Sequence, residues 1–282
     1  MHPIYSYIKQ TLKDCYSDSE AGALAKWILT DVFHFTAIDL YAGRDTDFSA
    51  SQQGRLEEIL FRLKRFEPMQ YILGETSFGG YTFEVSPAVL IPRPETEELV
   101  DWVVSDFSGR VGVRILDIGT GSGCIPITLY KRLEEWNPSV ASWDISEEAL
   151  AVAHRNAQKN RADISFRHQD ILADTYPRLA VDVLVSNPPY ITASEKTDME
   201  HNVLDWEPGL ALFVPDADPL KFYRRIAEVG CQLLVSGGTV YFEINRAYGR
   251  ETMEMLESLG YHSIELRKDF SGNDRMIKAC RR

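Results

Sequence analysis

Cysteine is scarce and scattered. Cys15, Cys124, Cys231 and Cys280 form no C-x-x-C pair, which argues against a disulfide framework or a structural zinc site. The six histidines also show no ligand spacing, so no metal is expected. No apolar run approaches the roughly 18 residues of a membrane span. The opening Met1-His2-Pro3-Ile4-Tyr5 lacks the basic and apolar stretches of a signal peptide, and a cytoplasmic location without membrane contact is expected. Positive charge is short as well: 30 basic against 42 acidic residues give a net charge of −12. Residues 1–74 carry −2 (8 basic, 10 acidic) and residues 75–282 carry −10 (22 basic, 32 acidic), so neither part offers a basic face. Direct nucleic-acid binding, which Lys and Arg drive, is therefore not expected. Arg62-Leu63-Lys64-Arg65 and Arg224-Arg225 read as solvated helix faces. With no repeats, 44% apolar and 26% charged residues, the chain is globular, with one large or two ordinary domains.

What is present centres on two turns. The apolar run Val113 to Ile118 reads as a buried parallel strand, followed by Gly119-Thr120-Gly121-Ser122-Gly123 and a helical pattern over 124–136. Such glycines let backbone pass close to a ligand at positive φ. A dinucleotide-binding dehydrogenase competes for this signal. Against it stand the G-x-G-x-G spacing, the acidic Asp117 two residues before the first glycine, and the second turn. Asp117 would give a cationic sulfonium ligand an acidic mouth. Asp144 ends the next strand 27 positions on, where a ribose diol could bind, and Ser146 begins a helix through Asn160. Asp170 and Ile171 follow the strand Ile164 to Gln169 and could meet an adenine amine and ring. Each carboxylate could equally be a cap or a loop residue.

The second turn, Asn187-Pro188-Pro189-Tyr190, directly follows the apolar run 181–186. A planar nitrogen is a poor nucleophile because its lone pair is delocalised, and a site for it must supply acceptors. The Asn187 side-chain oxygen and the Pro188 carbonyl could each accept one N–H, aiming the lone pair outward, with Tyr190 as a flat support. Orientation of this kind is worth up to roughly 7–11 kcal/mol of barrier. The bland alternative is an ordinary strand-ending turn.

Around these turns, Leu56, Ile59, Leu60 and Leu63 trace one apolar stripe, and Leu24, Ile28 and Val32 another, with Pro68 expected to stop the last helix of a small helical domain. Gly79-Gly80 between Phe78 and Tyr81 signals a hairpin. Pro94 opens a helix, strands and helices then alternate to Asn187, and residues 191–217 are expected to form a lid-like loop. Asp218 is expected to cap the next helix and Gly237-Gly238 to turn the chain before a strand over 239–244. Two final strands, 263–267 and 276–279, read as an antiparallel pair.

Three stretches, Ile91-Pro92-Arg93-Pro94-Glu95-Thr96-Glu97, Leu116 to Gly123, and Val185-Ser186-Asn187-Pro188-Pro189-Tyr190-Ile191, resemble the HemK/PrmC family of peptide chain release factor glutamine methyltransferases. The likeness runs from about residue 66 to the end, while the helical N-terminal part fits in character more than in motif. It implies an α/β fold of the class I S-adenosylmethionine-dependent methyltransferase type, Rossmann-like, with a mostly parallel seven-stranded sheet whose last strand is antiparallel. The implied domains are a helical substrate-recognition domain over 1–74, a β-hairpin linker over 75–93 and a catalytic domain over 94–282. The resemblance further implies S-adenosyl-L-methionine as donor and the glutamine of the Gly-Gly-Gln loop of class-1 peptide chain release factors as acceptor. Carried over to these positions, Gly119, Thr120, Gly121, Ser122 and Gly123 meet the methionine part, Asp144 the ribose, and Asp170 and Ile171 the adenine. Asn187, Pro188, Pro189 and Tyr190 surround the glutamine, and Asn187 touches both ligands. Ile171 stands where some relatives have an aromatic residue, so apolar packing replaces stacking. Arg93 is expected either near the site or in a salt bridge. The remaining rivals are a ribosomal-protein glutamine methyltransferase, a nucleic-acid amino methyltransferase acting on adenine or guanine, and an inactive cofactor-binding scaffold. Oligomeric state is left open.

Overall fold

The computed structural model describes residues 2–42 and 48–282 and divides into two compact units, Met1–Ile72 and Leu73–Arg282. The first unit is helical: α1 (Pro3–Leu12), α2 (Asp18–Trp27) continuing into a π-helical turn (Ile28–Val32), α3 (Ala37–Ala42), α4 (Ala50–Leu63) and the start of α5 (Met69–Leu73). Ser17 with Glu20, and Ser49 with Gln52, form capping boxes that begin α2 and α4. The α4 stripe Leu56, Ile59, Leu60, Leu63 is buried as expected. The α2 stripe is shifted: Ala21, Ala25, Ile28 and Leu29 are buried, while Leu24 and Val32 are only half-buried. Small alanines let α1 approach, and the π turn inserts a residue into the helical count, so a stripe drawn through the largest side chains misses the contact face. Pro68 does not stop α4, which has already ended at Leu63; its carbonyl accepts from Tyr71 and Ile72 and so opens α5.

The second unit carries the hairpin β1 (Glu75–Phe78) and β2 (Tyr81–Glu84), then α6 (Pro94–Phe107), β3 (Arg114–Ile118), α7 (Cys124–Leu133), β4 (Ser139–Asp144), α8 (Glu147–Asn160), β5 (Ile164–His168) and β6 (Val181–Ser186). Gly79 and Gly80 both take positive φ, the conformation a tight hairpin turn requires. Asn156 of α8 brackets Glu84, accepting from its N–H and donating to its carbonyl. Residues 191–214 differ from the expected loop. They contain β7 (Ile191–Thr192), a 3-10 turn (Ala193–Asp198), α9 (His201–Leu204), α10 (Gly209–Leu212) and β8 (Phe213–Val214), with β7 and β8 pairing in parallel. Then come α11 (Lys221–Leu233), β9 (Leu234–Glu243), α12 (Gly249–Ser258), β10 (His262–Lys268) and β11 (Asp274–Cys280). Asp218 does not cap α11 with its side chain; the carboxylate holds Arg224 instead. Gly237-Gly238 lies inside β9, at an irregularity in its pairing with β6, rather than in a turn between elements.

The main sheet has the order β10-β11-β9-β6-β3-β4-β5. β9, β6, β3, β4 and β5 run parallel, and the last strand, β11, is antiparallel to both its neighbours. Side chains alternate along the strands. Ile115, Val183, Val185 and Tyr241 enter the core under α6 and α7, whereas Leu116, Leu184, Val240 and Phe242 enter the core with α11 and α12. Burial on both faces explains why β3 and β6 read as continuous apolar runs. After β3 the chain adds β4 and β5 on one side and β6 on the other, and ligands bind at such a reversal, beyond the carboxyl ends of the strands. Among the described residues no helix is long and apolar enough to cross a membrane.

Candidate active site

The turn after β3 is held by its neighbour strand. Gly119 and Thr120 N–H groups donate to the Trp143 carbonyl at 2.8 and 3.2 Å, and the Gly121 N–H donates to Asp144 Oδ2 at 2.9 Å. Gly119, Gly121 and Gly123 take φ of +90, +52 and +82. At Gly123, a Cβ would stand 2.8 Å from Ile127 Cδ1, so glycine lets α7 start against α8. At Gly121 a Cβ would meet nothing within 4 Å. That open space beside exposed backbone is what a close-packed ligand needs.

The cleft bounded by this turn also takes in Asp144, Asp170, Ile171, Asn187, Pro188 and Pro189. The sequence motifs thus converge, each at the carboxyl end of β3, β4, β5 or β6. Asp144 Oδ1 accepts from the Ser146 N–H at 2.8 Å. Burial pushes its carboxyl pKa up, and the backbone N–H groups of Gly121 and Ser146 pull it back. A carboxylate has about four lone-pair directions, so acceptor capacity remains for a diol. Asp170 Oδ1 accepts from the Leu172 N–H, and Arg225 Nε donates to the Ile171 carbonyl, which fixes the apolar side chain on the cleft wall. Cys124 also lines the cleft, but burial raises its thiol to about 12, leaving it neutral and unsuited to covalent catalysis.

Two residues stand apart from their expected positions. Asp117 gives the cleft no acidic mouth: it is fully buried behind the glycine turn, its Oδ2 2.5 Å from Ser142 Oγ, which in turn lies 2.6 Å from Thr120 Oγ1. A residue two before the glycine lies inside β3, which is packed on both faces, so its side chain points into the protein on either one. Tyr190 gives no wall to the cleft; its hydroxyl donates to Glu243 Oε1 at 3.1 Å.

At the second turn, Asn187 Nδ2 donates to Thr96 Oγ1 at 3.2 Å. Neither Asn187 Oδ1 nor the Pro188 carbonyl takes a hydrogen bond from any described residue, and both residues line the cleft. Arg93 pairs with Glu207, whose side chain is 1% exposed, and Glu207 also accepts the Ile91 N–H. Arg93 meets both expectations, lining the cleft while held in this salt bridge, and the pair straps Trp206-Glu207-Pro208 to the segment leading into α6. Thr96, Glu207 and Glu243 escaped the sequence reading. Glu243 had a usable signal, an acid closing the apolar strand Thr239-Val240-Tyr241-Phe242, the same pattern that singled out Asp144. Among the described residues no group of three or more His, Cys, Asp or Glu could hold a metal ion.

Residues 98–205 match the family model described as methyltransferase small domain, and residues 4–74 match the PrmC N-terminal domain. The chain is 51% identical over 282 residues, covering 100% of both chains, to the release factor glutamine methyltransferase of Bacteroides thetaiotaomicron. It is 44% identical over 273 residues, 95% of each chain, to the protein of that name in Flavobacterium psychrophilum. Among solved structures, the hMettl16 catalytic domain in complex with the MAT2A 3'UTR hairpin 6 aligns with a TM-score of 0.55 at 18% identity, covering 85% of this chain and 84% of that one. At that identity the likeness concerns the fold alone.

Proposed function

The chain belongs to the release factor glutamine methyltransferase family, and from that premise we propose that it methylates the side-chain nitrogen of the glutamine in the Gly-Gly-Gln loop of class-1 peptide chain release factors, with S-adenosyl-L-methionine as donor. The observation that carries the reading is the pair of unengaged acceptors, Asn187 Oδ1 and the Pro188 carbonyl, on the wall of one cleft with the glycine turn. When bound, the donor supplies an electrophilic methyl group on a sulfonium. The open backbone at Gly121 suits its amino-acid part, Asp144 its ribose, and Asp170 with Ile171 its adenine.

Asn187 and Pro188 accept the two amide hydrogens of the glutamine, which holds the nitrogen lone pair toward the methyl group and stabilises the positive charge that grows on nitrogen as the bond forms. The amide becomes acidic only at that stage, and its proton leaves to water. Among the charged groups on the cleft wall, Asp144 and Asp170 are already engaged with backbone N–H groups, so no residue is assigned as a general base. Tyr190 acts from behind the wall through Glu243 rather than as a platform. We also propose that the helical unit, residues 1–72, grips the release factor. The net charge of −12 favours a folded protein acceptor over a phosphate backbone.

The test is transfer of labelled methyl to a purified release factor and to the same factor with its Gly-Gly-Gln glutamine changed to alanine. Label on the first alone is the expected result. Label on neither, with the donor shown to bind, would overturn the acceptor assignment and bring ribosomal-protein and nucleic-acid acceptors forward.

A further inference from the structure

Asn187 has an amide whose two ends are nearly the same size and opposite in function. Only one rotamer presents an acceptor to the incoming glutamine; the other presents two N–H groups to an N–H group. Something must choose between them, and Asn187 follows two residues, Val185 and Ser186, whose own hydrogen bonds do not reach its side chain.

The neighbouring hydroxyl makes the choice. Thr96, 3% exposed in the first turn of α6, has Oγ1 2.5 Å from Glu243 Oε2 and 3.2 Å from Asn187 Nδ2. A hydroxyl has one proton. Given to the Glu243 carboxylate, it leaves only a lone pair facing Asn187, and the amide must answer with its N–H end. Glu243 is itself held as an acceptor. It is 1% exposed and its other oxygen receives the Tyr190 hydroxyl at 3.1 Å, so both oxygens face a hydroxyl donor; burial raises its carboxyl, and the Thr96 and Tyr190 hydroxyls and then the Arg275 guanidinium pull it back toward the ionised form. The donors Tyr190 → Glu243 ← Thr96 ← Asn187 therefore all converge on the Glu243 carboxylate, which leaves Asn187, a cleft-lining residue, with its Oδ1 turned from Thr96 and unengaged.

We infer that Thr96 and Glu243 are positioning residues that set the side-chain amide of Asn187 with its oxygen toward the acceptor nitrogen. The inference rests on Asn187 being the acceptor-binding group of the proposed function. It adds that the catalytic turn is not sufficient alone: a hydroxyl from α6 and a carboxylate from β9 polarise it.

Thr96→Val keeps the shape and removes the hydroxyl, and Thr96→Ser restores it. Thr96→Val should lower kcat toward a release factor by about tenfold or more with the S-adenosylmethionine Kd unchanged, whereas Thr96→Ser stays within about threefold of wild type. In an Asn187→Ala background, Thr96→Val should cost less than about a further twofold, since both changes remove the same oriented acceptor. An equal loss in both backgrounds would mean a general structural role and would overturn the inference, as would Thr96→Val with wild-type kcat. A second measurement is independent of activity and of whether Thr96→Val folds. In the wild-type protein and in Thr96→Ser, one Nδ2 proton of Asn187, assigned by its loss in Asn187→Ala, should exchange slowly with water in NMR. Rapid exchange in the wild type sinks the inference. A slowly exchanging Nδ2 with an unlabelled release factor counts against the proposed function alone.

Discussion

Burial lifts the Asp117 carboxyl to about 7, with the Ser142 hydrogen bond pulling down and the nearby Asp144 charge pushing up. Its Oδ1 has no hydrogen-bond partner among the described residues, as a neutral acid tolerates better than an ion. The folded state thus holds a proton that the unfolded chain, titrating near 3.8, releases. The contribution to stability is full at low pH and declines as pH rises from about 4 to about 7. Asp117→Asn, permanently neutral, should lose less stability than wild type between pH 5 and pH 8, as read from urea midpoints. Glu207 and Glu243 are also raised by burial and slope the same way in both proteins, so the difference between the two curves reports Asp117; parallel curves would refute the assignment. For Asn187, replacement by Ala should lower kcat by about 10²–10³, the loss typical of one preorganised polar partner. A variant within about threefold of wild type in a methyl-transfer assay would remove Asn187 from the chemistry. Both residues were visible in the sequence; Asn187 lines the cleft, whereas Asp117 lies inside β3, where a strand packed on both faces takes a carboxylate inward whatever its distance from a glycine.

Elements differ in how much their glycines matter. Gly123 at the start of α7 has φ +82 and would bring a Cβ to 2.8 Å from Ile127 Cδ1 and 3.3 Å from Ala153 Cβ. Gly123→Ala should cost about 2–4 kcal/mol from left-handed strain and crowding together, and should weaken S-adenosylmethionine binding in calorimetry. Gly54, exposed within α4 with nothing within 4 Å of a Cβ, should behave oppositely. Gly54→Ala is expected to stabilise the helical unit by about 0.5–1 kcal/mol, and destabilisation in urea melts would contradict this. The segment from β7 to β8 is tied to the chain before α6 by the Arg93–Glu207 pair. Arg93→Ala leaves Glu207 buried without its cation, and amide exchange over 191–214 should speed about tenfold or more, since breaking a buried pair costs more than one such factor. Unchanged exchange would mean that the strap is not what holds the segment. Helix and strand periods located β3, β6 and α4, which bury whole faces. They missed the elements inside 191–214, which are too short to show a period, and they misjudged Pro68, whose effect depends on which side of it the helix lies.

At the scale of the whole chain, the second unit contains both packed faces of the sheet and every residue of the cleft. Residues 73–282 alone should therefore bind S-adenosylmethionine while losing methylation of the release factor, since residues 1–72 are proposed to dock it. Full methylation by the shortened protein would withdraw that role. The cleft also requires four of the five parallel strands at once: the glycine turn follows β3, Asp144 ends β4, Asp170 follows β5, and Asn187 follows β6.

Sequence alone determined the family, the alternation of strands and helices and the two turns, and it put Asp144, Asp170 and Asn187 at strand ends, because short motifs carry their chemistry in neighbouring positions. Tertiary structure decided the rest. It buried Asp117, moved Tyr190 behind the wall, paired Arg93 with Glu207 across 114 positions, and brought Thr96 and Glu243 together across 147. Such contacts leave no periodic trace. A hydroxyl in the first turn of a helix and an acid at the end of a strand become a single device only when the sheet sets their elements side by side.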